Sequence, residues 1–275
     1  MVESLLDLIG NTPILKINNI YLKLEYFNPS GSIKDRMSLN MIKGLEEESK
    51  IKKGSYILET SSGNTGISLA MICAIKGYKL IILMYDDVTV ERVKILNSYG
   101  AKVILISRKN NIEEVGYQLS KRLQIHFLDQ HTNPLNYLGY NNMAKEIIDN
   151  IDELDYLVCG LGTGGTICGL SSILKKTYPN LKVIGILPEN YKNCLLFGIN
   201  SMLSDIKFNI DCIDEVHYVS NEDALQTKKR YCHNGIFVGN SSGAILFVSE
   251  KLDKSKKVLA IIPDNNFKYL SCDDI

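Results

Sequence analysis

The chain has no excess of charge of either sign and no long apolar run. Its 31 basic and 31 acidic residues cancel, and no block of like charge interrupts the sequence. This balance argues against a nucleic-acid partner and against attraction to a membrane surface. No apolar run approaches the ~18 residues of a spanning helix, and residues 1–7 carry acids where a secretory signal would carry bases. We expect a cytoplasmic protein whose partner is a small molecule.

Cysteine and histidine are present without the spacings of a disulfide framework or a metal site. The seven cysteines include no Cys-x-x-Cys, and their odd number is atypical of a disulfide-stabilised fold. The four histidines are neither paired at i,i+4 nor placed beside cysteines at ligand spacing. We expect reduced cysteines and no metal.

Short β-rich runs alternate with helix-length segments, a pattern typical of a mostly parallel sheet. At 275 residues and 45% hydrophobic, the chain is large enough for one large or two medium α/β domains. Near the start, Asn18-Asn19 predicts a hairpin turn between residues 13–17 and 20–24. Further strands are predicted at 56–59, 79–84, 102–106, 126–128, 156–159, 182–187, 216–219 and 257–262. Helices are predicted at 35–48, 64–76, 90–99, 112–122, 136–149, 165–176, 222–233 and 242–252. Two sheets of roughly four strands each are expected, with a boundary near residues 130–135.

One lysine lies in a segment with unusual local chemistry. Asn28-Pro29 and Ser30-Gly31 reverse the chain, and the apolar residues of 37–45 have helical spacing, so Lys34 is predicted at a helix start. A cation there opposes the helix dipole. A solvated surface lysine is the ordinary alternative. Three further glycine-rich or serine-rich loops instead favour a catalytic amine that forms an imine with a carbonyl group.

These three loops, at residues 59–66, 160–166 and 238–244, each follow an apolar stretch and begin a helix. The unpaired N–H groups of a helix start can bind a phosphate or a carboxylate. Gly160-x-Gly162-x-x-Gly165 also satisfies the dinucleotide fingerprint, with Glu189 at the distance expected of a ribose ligand. This motif alone therefore leaves open a nucleotide-binding oxidoreductase, or a plain turn without a ligand.

Taken in order, these segments resemble the cysteine synthase and cystathionine β-synthase family of fold type II pyridoxal-phosphate enzymes. Residues 9–13, with the sequence Ile-Gly-Asn-Thr-Pro, are similar to the family's opening motif, and Lys23-Leu24-Glu25 precedes the lysine segment as it does in the family. The resemblance covers nearly the whole chain. It implies two three-layer α/β domains with mostly parallel sheets, like tryptophan synthase β. A smaller mobile domain at 35–141 would close on the substrate, and residues 1–34 and 142–275 would form a larger cofactor-binding domain. It also implies a homodimer.

The resemblance implies the site residues as well. Lys34 matches the lysine that forms the Schiff base with pyridoxal 5′-phosphate, Ser241 the serine that hydrogen-bonds the pyridine nitrogen, and Gln130 a glutamine that closes over the substrate carboxylate. The loop that binds the 5′-phosphate is matched by Gly162, Thr163, Gly164, Gly165 and Thr166. The loop that binds the substrate carboxylate is matched by Ser61, Ser62, Gly63, Asn64 and Thr65. Within it, Asn64 would also touch the phenolic oxygen of the cofactor.

The function implied is β-replacement on a small β-substituted amino acid, with O-acetylserine and sulfide giving cysteine and acetate. One alternative consumes L-cysteine by β-elimination or β-replacement and releases hydrogen sulfide, leaving serine, lanthionine or pyruvate. Another is a non-catalytic scaffold that keeps the fold. The departures from the family lie on the side of the second substrate, at His131, 141–144, 198–202 and 263–266. Asp205, beside one of them, is either a base or a solvated carboxylate.

Overall fold

In a computed structural model, the chain forms two compact units, one of Met1–Ile33 with Tyr137–Ile275 and one of Lys34–Asn136. The structure describes residues 1–61, 63–86, 88, 90–192, 194–199 and 202–270. Within these ranges each unit has a sheet of mostly parallel strands flanked by helices, as the α/β pattern predicted. The substrate-closing role of residues 35–141 stays a prediction.

The strands form a six-stranded sheet in the first unit and a four-stranded sheet in the second. They are β1 (Ile14–Ile17), β2 (Ile20–Leu24), β3 (Tyr56–Thr60), β4 (Lys79–Tyr85), β5 (Lys102–Ile106), β6 (His126–Phe127), β7 (Tyr156–Gly160), β8 (Lys182–Pro188), β9 (Glu215–Val219) and β10 (Val258–Ile262). Their orders are β1-β2-β10-β7-β8-β9 and β5-β4-β3-β6. Among these strands only β1 and β2 pair antiparallel, through a turn in which Asn18 has a φ of 53°. The predicted hairpin is therefore present.

The helices follow the predicted segments closely, with one exception. They are α1 (Lys34–Glu47), α2 (Asn64–Lys76), α3 (Val90–Ser98), α4 (Ile112–Leu123), α5 (Leu135–Leu138), α6 (Asn141–Ile148), α7 (Gly165–Thr177), α8 (Asn221–His233) and α9 (Asn240–Lys251). The single helix predicted at 136–149 is wrong, because the chain breaks into α5 and α6. Gly139 is a poor helix former, and the Tyr140 N–H donates to the Tyr137 carbonyl, one residue short of helical spacing.

The central strands of each sheet are buried on both faces. Every residue of β10 is buried, and Leu22, Val158 and Ile184 in the same sheet have no exposed surface. This explains why the parallel strands are continuous apolar runs instead of alternating ones. In the second unit, the four-stranded sheet is covered in the same way, with Leu58 and Leu83 fully buried. None of the helices in the described ranges combines the length and apolar character needed to cross a bilayer.

Candidate active site

A buried polar network holds the chain that precedes Lys34. Glu25 is fully buried, and its carboxylate accepts hydrogen bonds from the Thr12 hydroxyl at 2.5 Å and from the Asn28 amide at 2.9 Å. Lys23, 1% exposed, donates to the Glu146 carboxylate at 2.6 Å and to the Thr12 carbonyl at 2.7 Å. Buried charges are tolerated when they are paired and hydrogen-bonded in this way. Residues 9–13 and 23–25 therefore act together as a scaffold for the loop that follows Asn28.

That loop is anchored at the carboxyl end of β10. The Ile33 N–H donates to the Pro263 carbonyl at 2.8 Å, and Ser32 forms an isolated bridge with Asp264. The chain passes from the first unit to the second directly after Ile33, and Lys34 is the half-buried first residue of α1. The helix start predicted for Lys34 is therefore present, with Lys34 as its first helical residue.

The start of α9 lies against the same residues. The Gly239 N–H donates to the Asp264 carbonyl at 3.2 Å, and Val238 forms a bridge with Asn265. The Asp264 side chain is 2% exposed and accepts from the Tyr269 hydroxyl at 2.6 Å. Asp264 therefore connects the loop before Lys34 to the first turn of α9. In the sequence, residues 263–266 stand out only as a departure from the family pattern.

Ser241 is held in position by its neighbour Asn240. Asn240 is 2% exposed; its amide donates to the Leu195 carbonyl at 3.0 Å and accepts from the buried Lys228 ammonium at 2.8 Å. Ser241 is only 3% exposed, and the hydroxyl of the next residue, Ser242, is buried without a hydrogen-bond partner among the residues that the structure describes. A buried hydroxyl without a protein partner is suited to a ligand. No sequence signal pointed to Lys228, which looks like any other lysine of an amphipathic helix.

The glycine-rich loop between β7 and α7, residues 160–166, forms a cradle suited to an anion and is named the glycine cradle. A Cβ on Gly162 would lie 2.3 Å from the Gly198 carbonyl oxygen. Gly164 has a φ of +87°, and a Cβ added there would lie 2.7 Å from Ile206 Cγ2. The chain therefore requires glycine at both positions. The Gly165 N–H donates to Thr163 Oγ1 at 3.2 Å. The next N–H groups of α7 have no carbonyl partner within the helix, so this helix start is favourable for an anion. Since β7 and β10 are parallel neighbours, this loop lies at the same carboxyl edge as the start of α9.

In the second unit, the loop after β3 is organised by a serine hydroxyl. Ser61 Oγ accepts from the backbone N–H groups of Gly63 at 3.3 Å and Gly66 at 3.1 Å, across the start of α2. Gly63 caps this helix, and Asn64 is its first residue. Ser62, also predicted to bind the substrate carboxylate, lies outside the described residues. The loop presents the N-terminal end of α2, where a carboxylate is favoured.

Gln130 lies against this loop. Its Oε1 accepts from the Thr65 hydroxyl at 2.7 Å, and its Nε2 donates to the Thr60 carbonyl at 3.1 Å. The buried Asn136 amide donates to the Gln130 backbone carbonyl at 2.7 Å. Gln130 follows β6, and β6 is the parallel neighbour of β3, so both segments leave the same edge of the sheet. Although 65 residues apart in the sequence, Thr65 and Gln130 are held together.

Glu59 is a buried acid next to this network to which no motif in the sequence pointed. It is 0% exposed, and Oε1 accepts from the Thr60 N–H at 2.8 Å. The pKa of its carboxyl is raised to about 8, chiefly by burial and also by the charge of nearby Asp129, against the opposing effect of the N–H groups of Thr60 and Gln130. In the sequence, burial of this acid could have been inferred from its position, because it directly follows the apolar run 56–58. At neutral pH this acid is protonated.

The two residues noted beside the altered segments have structural partners. Asp205 accepts from the Met202 N–H at 3.2 Å and closes one short helical turn. His131 Nε2 lies 3.8 Å from the Glu113 carboxylate. Among the described residues no cluster of three or more histidine, cysteine or acidic side chains could hold a metal ion.

Residues 5–264 match the family model described as pyridoxal-phosphate dependent enzyme. The chain belongs to this family of pyridoxal-phosphate-dependent enzymes. It is 37% identical to cysteine synthase B of Campylobacter jejuni, over 98% of each protein. Its structure is similar to that of a hydrogen sulfide-producing enzyme from Fusobacterium nucleatum, with a TM-score of 0.90 and 34% identity over 98% of each chain. It is also similar to O-ureido-L-serine synthase, with a TM-score of 0.91 and 30% identity over 98% of this chain and 94% of that one.

Family membership confirms the fold class, the enzyme class and the cofactor expected from the motifs. It also decides against the oxidoreductase and the non-catalytic scaffold. The residues of this enzyme fit pyridoxal 5′-phosphate: the chain requires glycine at two positions before α7, where a phosphate can approach the backbone, and Ser241 places a hydroxyl at the buried start of α9. When bound, the cofactor supplies an electron sink for the carbanion that forms at the Cα of an amino acid.

Proposed function

We propose that the enzyme catalyses β-replacement on a small β-substituted amino acid, with O-acetylserine and sulfide as substrates and cysteine and acetate as products. The observation that carries the proposal is that two segments of the site meet at Asp264. The loop before Lys34 and the first turn of α9 both contact this residue, at the sheet edge where the glycine cradle also lies. The match to cysteine synthases over the whole chain supports the choice of substrates.

The roles of the cofactor ligands follow from the chemistry of each group. Lys34 would hold the cofactor through Nζ, the N–H groups of residues 162–166 its phosphate, and Asn64 its phenolic oxygen. Ser241 would donate a hydrogen bond to the ring nitrogen. A serine hydroxyl is too weak an acid to transfer its proton to a pyridine, so the proton stays on Oγ. Ser241 would therefore leave the ring a modest electron sink, which favours prompt loss of a β-substituent.

The remaining residues bind the substrate and move one proton. Backbone N–H groups at the start of α2, among them that of Thr65, would bind its carboxylate together with the Ser61 hydroxyl. The Lys34 amine would remove the Cα proton of the bound amino acid and hold it at Nζ. Acetate leaves from Cβ, and sulfide then forms the new bond to that carbon. Nζ returns its proton to Cα, so one residue serves as base and then as acid.

A second candidate reaction consumes cysteine and releases hydrogen sulfide. The similarity to a solved hydrogen sulfide-producing enzyme favours it. Lys34 and the carboxylate loop would act in the same way, with hydrosulfide as the leaving group and water or a second cysteine thiol as the nucleophile.

Paired assays on the holoenzyme separate the two reactions. In one, O-acetylserine and sulfide are supplied, and cysteine is measured by mass spectrometry. In the other, cysteine alone is supplied, and sulfide and the carbon product are measured. We expect kcat/KM to be at least ~10-fold higher in the first assay, a difference of about 1.4 kcal/mol in transition-state binding. Unreactive O-acetylserine beside reactive cysteine would reject the synthase assignment.

The homodimer and the cytoplasmic location also belong to this proposal. Light scattering on the purified holoenzyme tests the first, for which a mass of twice 30.9 kDa is expected. Fractionation of the source cells tests the second.

A further inference from the structure

Lys228 is a buried cation on α8 whose side chain reaches the first turn of α9. The residue is 7% exposed, and its ammonium donates to Asn240 Oδ1 at 2.8 Å and to Asn266 Oδ1 at 3.4 Å. A lysine is rarely buried unless polar partners replace the water around its charge. Here those partners come from α9 and from the segment after β10. One ammonium therefore joins three segments of the chain.

Close packing of α8 against α9 brings the lysine to this position. A Cβ on Gly243 would lie 2.2 Å from the Ala224 carbonyl oxygen and 3.1 Å from Lys228 Cβ. Glycine at position 243 therefore lets the two helices approach each other. Ala224 and Lys228 are four residues apart on α8, so they share the face that contacts α9. The lysine side chain extends from Gly243 to Asn240, along the first turn of α9.

The first turn of α9 is not capped by a side chain. Gly239 precedes the helix and has no side-chain oxygen that could accept from the N–H groups of this turn. The ends of helices fray more readily than their interiors. Asn240, the first residue of α9, is instead held from outside the helix by the Lys228 ammonium.

The ammonium also determines the orientation of the Asn240 side chain. A lysine ammonium can only donate, so the amide atom that faces it must be the oxygen. The amide nitrogen then faces the Leu195 carbonyl, to which it donates at 3.0 Å. Leu195 belongs to the loop 194–199, in which the Gly198 carbonyl lies against Gly162 of the glycine cradle. The start of α9 and this loop are therefore held by the same amide.

We propose that Lys228 is a positioning residue that acts through Asn240 to place the Ser241 hydroxyl for the cofactor. Ser241 directly follows Asn240 in the first turn of α9 and is 3% exposed. The inference rests on the role proposed for Ser241, the hydrogen bond to the ring nitrogen. Lys228 takes no part in proton transfer, and its contribution is to hold that donor in one position.

Fluorescence titration of each apoenzyme with pyridoxal 5′-phosphate tests the proposal without turnover. We expect Lys228→Met to raise the dissociation constant by about 10-fold, because methionine is also long and unbranched but donates no hydrogen bond to Asn240. Lys229→Met, which alters the exposed neighbour on α8, is the matched control and should leave the affinity unchanged. Full affinity in Lys228→Met would overturn the proposal.

A double-mutant cycle with Ser241→Ala shows whether Lys228 acts through the serine. If it does, Lys228→Met should weaken cofactor binding by less than about 2-fold once the serine hydroxyl is absent. Losses that multiply in full would show that Lys228 only supports the fold, and the inference would be rejected while the role of Ser241 stands. Unchanged affinity in Ser241→Ala alone would reject the role of the serine itself, and the inference with it.

A second variant answers the same question if Lys228→Met does not fold. Asn240→Ala removes the amide that joins Lys228 to the start of α9, so it should also raise the dissociation constant by about 10-fold. Circular dichroism of the apoenzymes identifies the folded variants. A folded Asn240→Ala variant that binds the cofactor as tightly as the unchanged enzyme would overturn the proposal.

Discussion

The Thr65 hydroxyl donates to Gln130 Oε1 across 2.7 Å, and this bond joins the carboxylate loop to the segment after β6. Both residues are buried, with exposed fractions of 3% and 7%. Because the Gln130 amide also donates to the Thr60 carbonyl, its orientation is determined at both ends. Gln130 is therefore held in one position before any substrate arrives.

We expect Thr65→Val to raise the KM for the amino acid substrate by about 10-fold. The change keeps the shape of the side chain but leaves the buried Gln130 Oε1 without its donor, at a typical cost of about 1 to 3 kcal/mol. Thr65→Ser keeps the hydroxyl and is the control. Steady-state kinetics at varied concentrations of the amino acid measures the KM. An unchanged KM in Thr65→Val would contradict a contribution of this hydrogen bond to substrate binding.

We expect Lys34→Ala to lower kcat by at least ~1,000-fold, since both holding the cofactor and moving the Cα proton are assigned to this amine. Lys43→Ala, which alters an exposed lysine on the same helix, is the matched control and should leave kcat unchanged. Circular dichroism should show both variants folded. Activity retained by a folded alanine variant at position 34 would remove Lys34 from the mechanism.

Glu59 makes the stability of the enzyme depend on pH. Burial raises the pKa of its carboxyl from 4.5 to about 8 in the folded state. Between these values the folded chain keeps a proton that the unfolded chain has released. The free energy of unfolding therefore falls as pH rises, by about 1.4 kcal/mol per pH unit from this group.

Denaturant titrations of the Glu59→Gln variant between pH 5 and 8 test this dependence. The amide in this variant would mimic the protonated acid without titrating, so we expect a shallower decline in stability than in the unchanged enzyme. Glu48→Gln, which alters an exposed acid, should reproduce the original slope. Identical slopes for all three proteins would show that Glu59 is ionised in the folded state.

We expect Gly164→Ala to weaken cofactor binding by about 10-fold or more. The added Cβ would lie 2.7 Å from Ile206 Cγ2, in a residue with a φ of +87°. Gly100→Ala is a matched control, because Gly100 has a φ of +82° and nothing within 4 Å. The control measures the cost of the backbone alone, typically about 1 kcal/mol. Fluorescence titration of each apoenzyme with pyridoxal 5′-phosphate measures the affinity for the cofactor. Similar affinities in Gly164→Ala and Gly100→Ala would mean that the glycine cradle tolerates the added methyl group.

The helix starts were accessible from the sequence because their signals are local. Lys34 follows two chain-reversing pairs, and the glycine-rich loop before Gly165 follows an apolar strand, so the structure begins both helices within a residue of the predicted positions. The break between α5 and α6 was missed, because the apolar spacing continues across Gly139 and Tyr140 while the backbone does not.

Local sequence was enough to predict the order of strands and helices, the family and the candidate loops, because periodicity, turn residues and motif spacing act over a few neighbouring positions. It could not predict that Asp264 contacts both Ser32 and Gly239, that Thr65 bonds to Gln130, or that Glu59 loses all contact with water. These contacts join residues that are tens to hundreds of positions apart. They form only once the strands have paired and each crossover helix has returned the chain to its sheet.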